Sequence, residues 1–298
     1  MSNKTQLLKN IYGFDFPTSF FEFWEFVCSL PPNLIEDVLE VQFIGAFNIF
    51  KADYDAQTHN FLWDRYYNDP PEFFTLIAGW ADGLHWGYYL DDPNHPIPVA
   101  YYYSNDAFEL TVSGDNLFET LRGVVEEHYE MCLEEMEYYP DETKKCEDKI
   151  QQLNALRSKI QKYHTVNRLE TGENYLSRYQ VVKARQTVAQ TRDNMGIVVQ
   201  SSLYKPLTGN DKFQIWNYEP TPEEVQQMTN EAMDALKEGY PATALKLGKD
   251  LWIYQEYRAQ CYALLDSAYA ALGRDVLRKM LGIAKEYREY CDARCSSS

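Results

Sequence analysis

The chain has 298 residues, enough to bury a sizeable core, and carries 28 Lys and Arg against 45 Asp and Glu. The excess is uneven: residues 1–130 hold 5 basic against 21 acidic side chains, and 131–298 hold 23 against 24. An acidic front half repels phosphate backbones, which argues against direct nucleic-acid binding and favours a basic partner surface, such as a histone tail or a cationic toxin. No run of 18 apolar residues exists, and the start MSNKTQLLKN lacks the apolar core of a secretory signal, so an intracellular protein with no membrane span is expected. The six cysteines (28, 132, 146, 261, 291, 295) contain no C-x-x-C pair, and the five histidines show no ligand spacing, so reduced thiols and no metal site are expected.

Taken in order, 12–30 opens an aromatic amphipathic helix in which Phe20, Phe23, Trp24 and Val27 recur at helical spacing after Pro17. Short strands are expected over 41–44, 47–50, 75–80, 85–90, 98–103 and 109–112, separated by turns such as Ala81-Asp82-Gly83 and Asp91-Asp92-Pro93. A helix capped near Asp115 or Asn116 follows, with Leu117, Leu121 and Val124 facing inward. Residues 119–193 read as helical and charged, with breaks at Pro140 and at Thr171-Gly172. Segments 196–200 and 213–216 read as a short β-hairpin around Thr208-Gly209-Asn210-Asp211. Helices are then expected over about 222–238, 241–253, 256–272 and 275–291.

The fold class is therefore α+β. An N-terminal mixed α/β domain with an antiparallel-rich sheet (1–130) leads into a helical connecting layer (131–194). A mainly helical domain carrying the hairpin (195–298) completes the chain.

The corner between the first two of those last helices holds the main candidate for chemistry. Thr221-Pro222-Glu223-Glu224 has the form of a capping box with Pro at the first helical position, and Gly239 and Pro241 close one helix and open the next. Glu238 then sits at a helix C-terminus, where partial negative charge disfavours an ionised carboxylate, the direction a general base needs. No phosphate cradle is present: there is neither a G-x-x-x-x-G-K-[ST] nor a G-x-G-x-x-G.

Ordered pieces along the chain resemble the histone PARylation factor family, whose front half is related to the SUKH superfamily. They are YGFDFPTSFFEFWEF (12–26), Ile44-Gly45, RYYNDPPEF (65–73), HWGYYLDDP (85–93), Gly114-Asp115-Asn116, GIVV (196–199), the Leu245-x-Leu247-Gly248-x-Asp250-Leu251-Trp252 run, and Leu264-Leu265 with Ala268-Tyr269. The resemblance implies a SUKH-like front domain and an accessory factor with no enzyme activity of its own. Such a factor docks on a poly(ADP-ribose) polymerase-like transferase and lends a glutamate that deprotonates an acceptor serine. NAD would then be bound by the partner, with no cofactor held by this chain, and the substrate would be a serine-bearing, basic protein. Localisation would be intracellular: cytoplasmic, or nuclear in a eukaryotic cell.

Counting back without a gap from Leu245, the family's catalytic glutamate falls on Glu238, with Glu231 as the rival if the register slips. Tyr204 and Lys205 fall where the family has a Tyr-Arg pair, and Lys237 where it has an acidic residue. These three and Asp250 are the expected binding residues. A second reading from the same ancestry is a SUKH-like immunity protein that neutralises a toxin through an acidic face around Asp82, Asp91 and Asp92.

Overall fold

A computed structural model describes residues 2–295 except 56, 58, 80, 93–95, 107, 164–185 and 216. Helices α1 (Ser2–Tyr12), α2 (Thr18–Cys28) and α3 (Leu34–Leu39) lead into the strands β1 (Val41–Phe43), β2 (Phe73–Gly79), β3 (Leu84–Tyr89), β4 (Val99–Tyr103) and β5 (Thr111–Gly114). These pair antiparallel in chain order, a five-stranded meander. Between β2 and β3 the Leu84 N–H bonds to the Ala81 carbonyl (2.8 Å), and the central residues of that turn, Asp82 and Gly83, both take positive φ, 48° and 68°, as in a type I′ turn.

Alternation splits the sheet residues between two faces. Phe74, Leu76, Trp86, Tyr88 and Val99 join the large core with the rings of α2, where Phe20 stacks on Phe47 with ring centroids 4.6 Å apart. Phe73, Tyr89, Ala100, Tyr102 and Val112 form the other face, covered by Met195. The paired helices α4 (Leu117–Tyr138) and α5 (Thr143–Ile160) follow. Asn116 caps α4, its side chain accepting from the backbone N–H groups of Phe118 and Glu119. Helix α4 runs without interruption through residue 130.

The back half consists of α6 (Pro222–Lys237), α7 (Pro241–Leu251), α8 (Arg258–Ala271) and α9 (Asp275–Cys295). Every residue of α7 is buried. Gly248 lets α8 approach it, for a Cβ there would lie 2.7 Å from the Leu265 side chain. Polar contacts tie these helices to the sheet domain. Tyr269 donates to Glu72 at 2.6 Å, Trp252 Nε1 donates to the Asn68 carbonyl at 2.8 Å, and Lys249 lies 3.1 Å from Asp193 and also reaches the Tyr89 hydroxyl.

Three sequence expectations need correction. Segment 47–50 belongs to a 3-10 turn, Gly45–Phe50, because the backbone bends at Gly45 (φ +59°), where a Cβ would strike the Thr75 carbonyl. The end of the 119–193 helical layer, from 186 on, is irregular.

No hairpin forms among the described residues of 195–216. Asn194 and Gly196 take positive φ, and the Thr191 and Asp193 side chains capture the backbone N–H groups of Gly196 (2.8 Å) and Met195 (3.1 Å). Local side-chain bonds of this kind compete with a ladder, leaving a single bridge between Ala189 and Ile197. Residues Asn210–Gln214 form a 3-10 turn, and the carbonyls of Phe213 within it and Ile215 just after it accept from the Arg192 guanidinium. The expected break at Thr171-Gly172 and residue 216 lie outside the described residues.

Candidate functional site

The corner around Glu238 is built by local sequence. Thr221 and Glu224 form the reciprocal capping box that starts α6, with bonds of 3.2 and 3.0 Å, and Pro222 occupies its first turn. Val225, Met228, Ala232 and Ala235 turn the apolar face of α6 inward. The helix ends in a Schellman arrangement. Gly239 takes φ +97° and its N–H bonds to the Leu236 carbonyl (3.0 Å), while the Tyr240 N–H bonds to the Ala235 carbonyl (2.9 Å). Pro241 then opens α7. Glu238 is the C-cap residue, 55% exposed at its side chain, on a rigid two-helix corner.

Lys205 faces it from 33 residues earlier. Its Nζ donates to Glu238 Oε2 at 2.8 Å, and the two side chains are comparably open to solvent. That hydrogen bond to the carboxylate, with its charge, raises the pKa of the Lys205 ammonium. The backbone beneath Lys205 is fixed by the buried Thr243, whose Oγ1 accepts from the Lys205 N–H (3.0 Å) and donates to the Lys205 carbonyl (2.7 Å). The Lys205 ammonium also lies 5.6 Å from the centroid of the Tyr240 ring. Tyr204, beside it, is partly buried, and burial pushes its phenol up to about 12, reinforced by the carboxylates of Asp211 and Asp250.

The other expected site residues lie elsewhere. Lys237 turns away and pairs with Asp234 at 2.8 Å on the open face of α6. Glu231 accepts from Gln227, also on the open face. Asp250 is fully buried: Lys246 contacts it at 2.8 Å and the Arg192 N–H donates to it at 2.9 Å. Burial lifts its carboxyl to about 6, against the downward pull of Lys246. Asp250 therefore holds the 190s loop against α7 and presents nothing to a partner, which corrects its assignment as a binding residue.

The Asp-Pro-Pro-Glu-Phe piece is structural as well. Buried Asp69 accepts from His85 Nε2 (2.8 Å), Thr75 Oγ1 (2.5 Å) and Tyr102 OH (2.6 Å), and Glu72 receives the Tyr269 hydroxyl. Thr243 was invisible as a site residue in the sequence, for nothing local marks a threonine inside an apolar helix as the clamp of a distant loop.

The corner thus brings together a solvent-facing carboxylate, Glu238, and the ammonium of Lys205 with the Tyr240 ring beside it, whereas the Tyr204 phenol lies in the field of Asp211 and Asp250. Such a surface constellation on an α+β scaffold can act on a group that another molecule presents. A family model for histone PARylation factor 1 matches residues 3–286, and the chain belongs to that family. It is 32% identical to histone PARylation factor 1 of Danio rerio over 120 residues, 37% of this chain and 34% of that protein. It is 30% identical to the Mus musculus protein of the same name over 129 residues, 39% of this chain and 36% of that one. The Bos taurus protein is 30% identical over 125 residues, 37% and 35% of the two chains. The alignments thus span only about a third of the length of these relatives.

Proposed function

We propose that this protein is an accessory factor for protein ADP-ribosylation. It docks on a poly(ADP-ribose) polymerase-like transferase and supplies Glu238 as the general base for serine acceptors. The reading is supported by family membership and, above all, by one geometric observation. Glu238 stands about half exposed at the C-cap of a helix corner and, among the described residues, pairs with an equally exposed lysine.

In the reaction, the Glu238 carboxylate takes the proton of an acceptor serine hydroxyl, and the serine oxygen bonds to the ribose carbon of NAD held by the transferase. The carbon–nitrogen bond to nicotinamide breaks and nicotinamide leaves. A positioned base of this kind contributes about 10²–10⁴-fold, because a serine hydroxyl is a poor nucleophile while it keeps its proton. Exposed ion pairs contribute only about 0–1 kcal/mol, so Lys205 can swing aside when an acceptor arrives. Until then its ammonium keeps the hydrogen bond to Glu238 Oε2.

The acidic face that an immunity protein would use has less support. Asp91 is buried, and Asp92 lies 4.0 Å from the buried Arg274, whose charge already offsets part of that acidic surface.

The test is a reconstituted reaction. Purified protein is added to a poly(ADP-ribose) polymerase with NAD and paired peptides that carry serine or alanine at one position. Modification that appears on the serine peptide only in its presence supports the proposal. Unchanged acceptor choice contradicts it.

A further inference from the structure

Helix α4 violates the rules that stabilise helices, and does so in one place. From 126 to 142 the chain carries eight carboxylates, at 126, 127, 130, 134, 135, 137, 141 and 142, with no Lys or Arg. Three of the last five residues of α4 are Glu134, Glu135 and Glu137, and its last turn holds no basic residue, although a helix C-terminus favours cations. Glu130 and Glu134 are four residues apart and Glu134 and Glu137 three, spacings at which like charges repel.

Some of these acids have partners within the protein. Arg122 and Arg157 take Glu126, Lys145 takes Glu142, and Glu135 accepts from the Cys146 thiol. Glu130, Glu134, Glu137 and Asp141 form no ion pair among the described residues.

Apolar exposure is concentrated at the same spot. The large apolar side chains most open to solvent among the described residues are Met131, Leu133, Tyr138, Tyr139, Ile215 and Tyr290. Four of these six fall within nine residues of one another, Tyr138 being 72% and Tyr139 64% exposed. Glu127, Met131, Glu134 and Tyr138 recur at helical spacing, so one face of α4 alternates carboxylates with a methionine and a tyrosine. An exposed apolar patch rimmed with charge marks an interaction surface.

We propose that this Met131/Tyr138 face docks a lysine- and arginine-rich polypeptide segment. Cationic heads would neutralise Glu130, Glu134, Glu137 and Asp141, their alkyl stems would lie on Met131, and the rings of Tyr138 and Tyr139 would accept cation–π contacts. A second copy of this chain fits poorly, since it would set Glu130, Glu134, Glu137 and Asp141 against the same four carboxylates. A nucleic acid is repelled for the same reason. The proposal is independent of the Glu238 reading, since it uses no residue of that corner.

Fluorescence anisotropy with a labelled lysine–glycine repeat peptide tests it, a glutamine–glycine repeat serving as reference. The full-length protein should bind the lysine peptide, and more weakly at high salt. Glu134→Gln/Glu137→Gln should weaken binding at least about fivefold. Its thermal stability should not fall, since repulsion at the helix end is relieved, so a failure to fold cannot account for the loss. Met131→Ser/Tyr138→Ser should weaken binding as well, whereas Glu22→Gln/Glu25→Gln on α2 and Glu238→Gln should leave it unchanged. Equal weakening by the α2 pair would reduce the effect to net charge and overturn the site. Full binding by both α4 variants, equal binding of the glutamine peptide, or self-association lost with Met131 and Tyr138 would overturn it too.

Discussion

The Lys205 ammonium sits 2.8 Å from Glu238 Oε2, yet both side chains remain about half open to water. The contact guards the carboxylate without burying it. A double-mutant cycle on Lys205→Met and Glu238→Gln should therefore give a coupling in unfolding free energy of no more than about 1 kcal/mol, measured by denaturant titration. A coupling of several kcal/mol would mean that the pair is a structural element and that the carboxylate is not free to meet a substrate.

Thr243 should matter more for stability than either charge. Its hydroxyl serves both the N–H and the carbonyl of Lys205 from inside the protein. Thr243→Ala leaves both backbone groups short of a partner and should destabilise by about 1–3 kcal/mol. Thr243→Ser, which keeps the hydroxyl, should recover most of that. In a serine-acceptor assay Thr243→Ala should also lower activity, because Lys205 and Tyr204 lose their footing, whereas Lys237→Ala should change little.

Two glycines should fail for different reasons. At Gly239 a Cβ meets nothing within 4 Å, so Gly239→Ala is disfavoured only by its positive φ, at about 1 kcal/mol. Gly248 lies in the buried helix α7, where a Cβ would come 2.7 Å from Leu265. Gly248→Ala should destabilise by about 1–3 kcal/mol through overpacking, and Leu265→Ala in the same chain should relieve part of the clash. Thermal unfolding of the two single variants and the double separates the causes.

The capping box has a pH signature. Bonds from the Thr221 backbone N–H, then from Lys212, hold the Glu224 carboxyl down to about 2 against an ordinary value of 4.5. A depressed folded value means that the unfolded chain binds the proton more readily, so the stabilisation is complete above about 4.5 and is lost as pH falls toward about 2. Between those limits the wild type should lose stability with acid faster than Glu224→Gln, and above pH about 5 the gap between them should be constant. Melting curves across that range check it. Parallel curves would show that the box contributes no proton-linked stability.

What could be read from sequence was what the chain decides locally. The Thr221–Glu224 box, the left-handed Gly239, Pro241 at the start of α7 and the Ala81-Asp82-Gly83 turn all appear where short-range rules put them. Lys237 illustrates the opposite: placed next to Glu238 by sequence, it is drawn to Asp234 one turn back. The Leu-Gly-x-Asp-Leu-Trp motif points to Asp250, but that motif is buried, and Lys246 four residues earlier is the available clue. The hairpin failed because Thr191 and Asp193 satisfy backbone groups that a ladder would use. The bond between Lys205 and Glu238 spans 33 residues and depends on how the loop crosses α7, which no local pattern encodes.

Glu238 is proposed to remove a proton from a serine held by another protein. The direct measurement compares wild type and Glu238→Gln in a reconstituted reaction with transferase, NAD and a serine peptide, alongside the affinity of each for the transferase. Glu238→Gln should dock as well as wild type and unfold within about 0.5 kcal/mol of it, while serine modification falls by about 10²-fold or more. Undiminished serine modification by the well-folded, docked variant would contradict it.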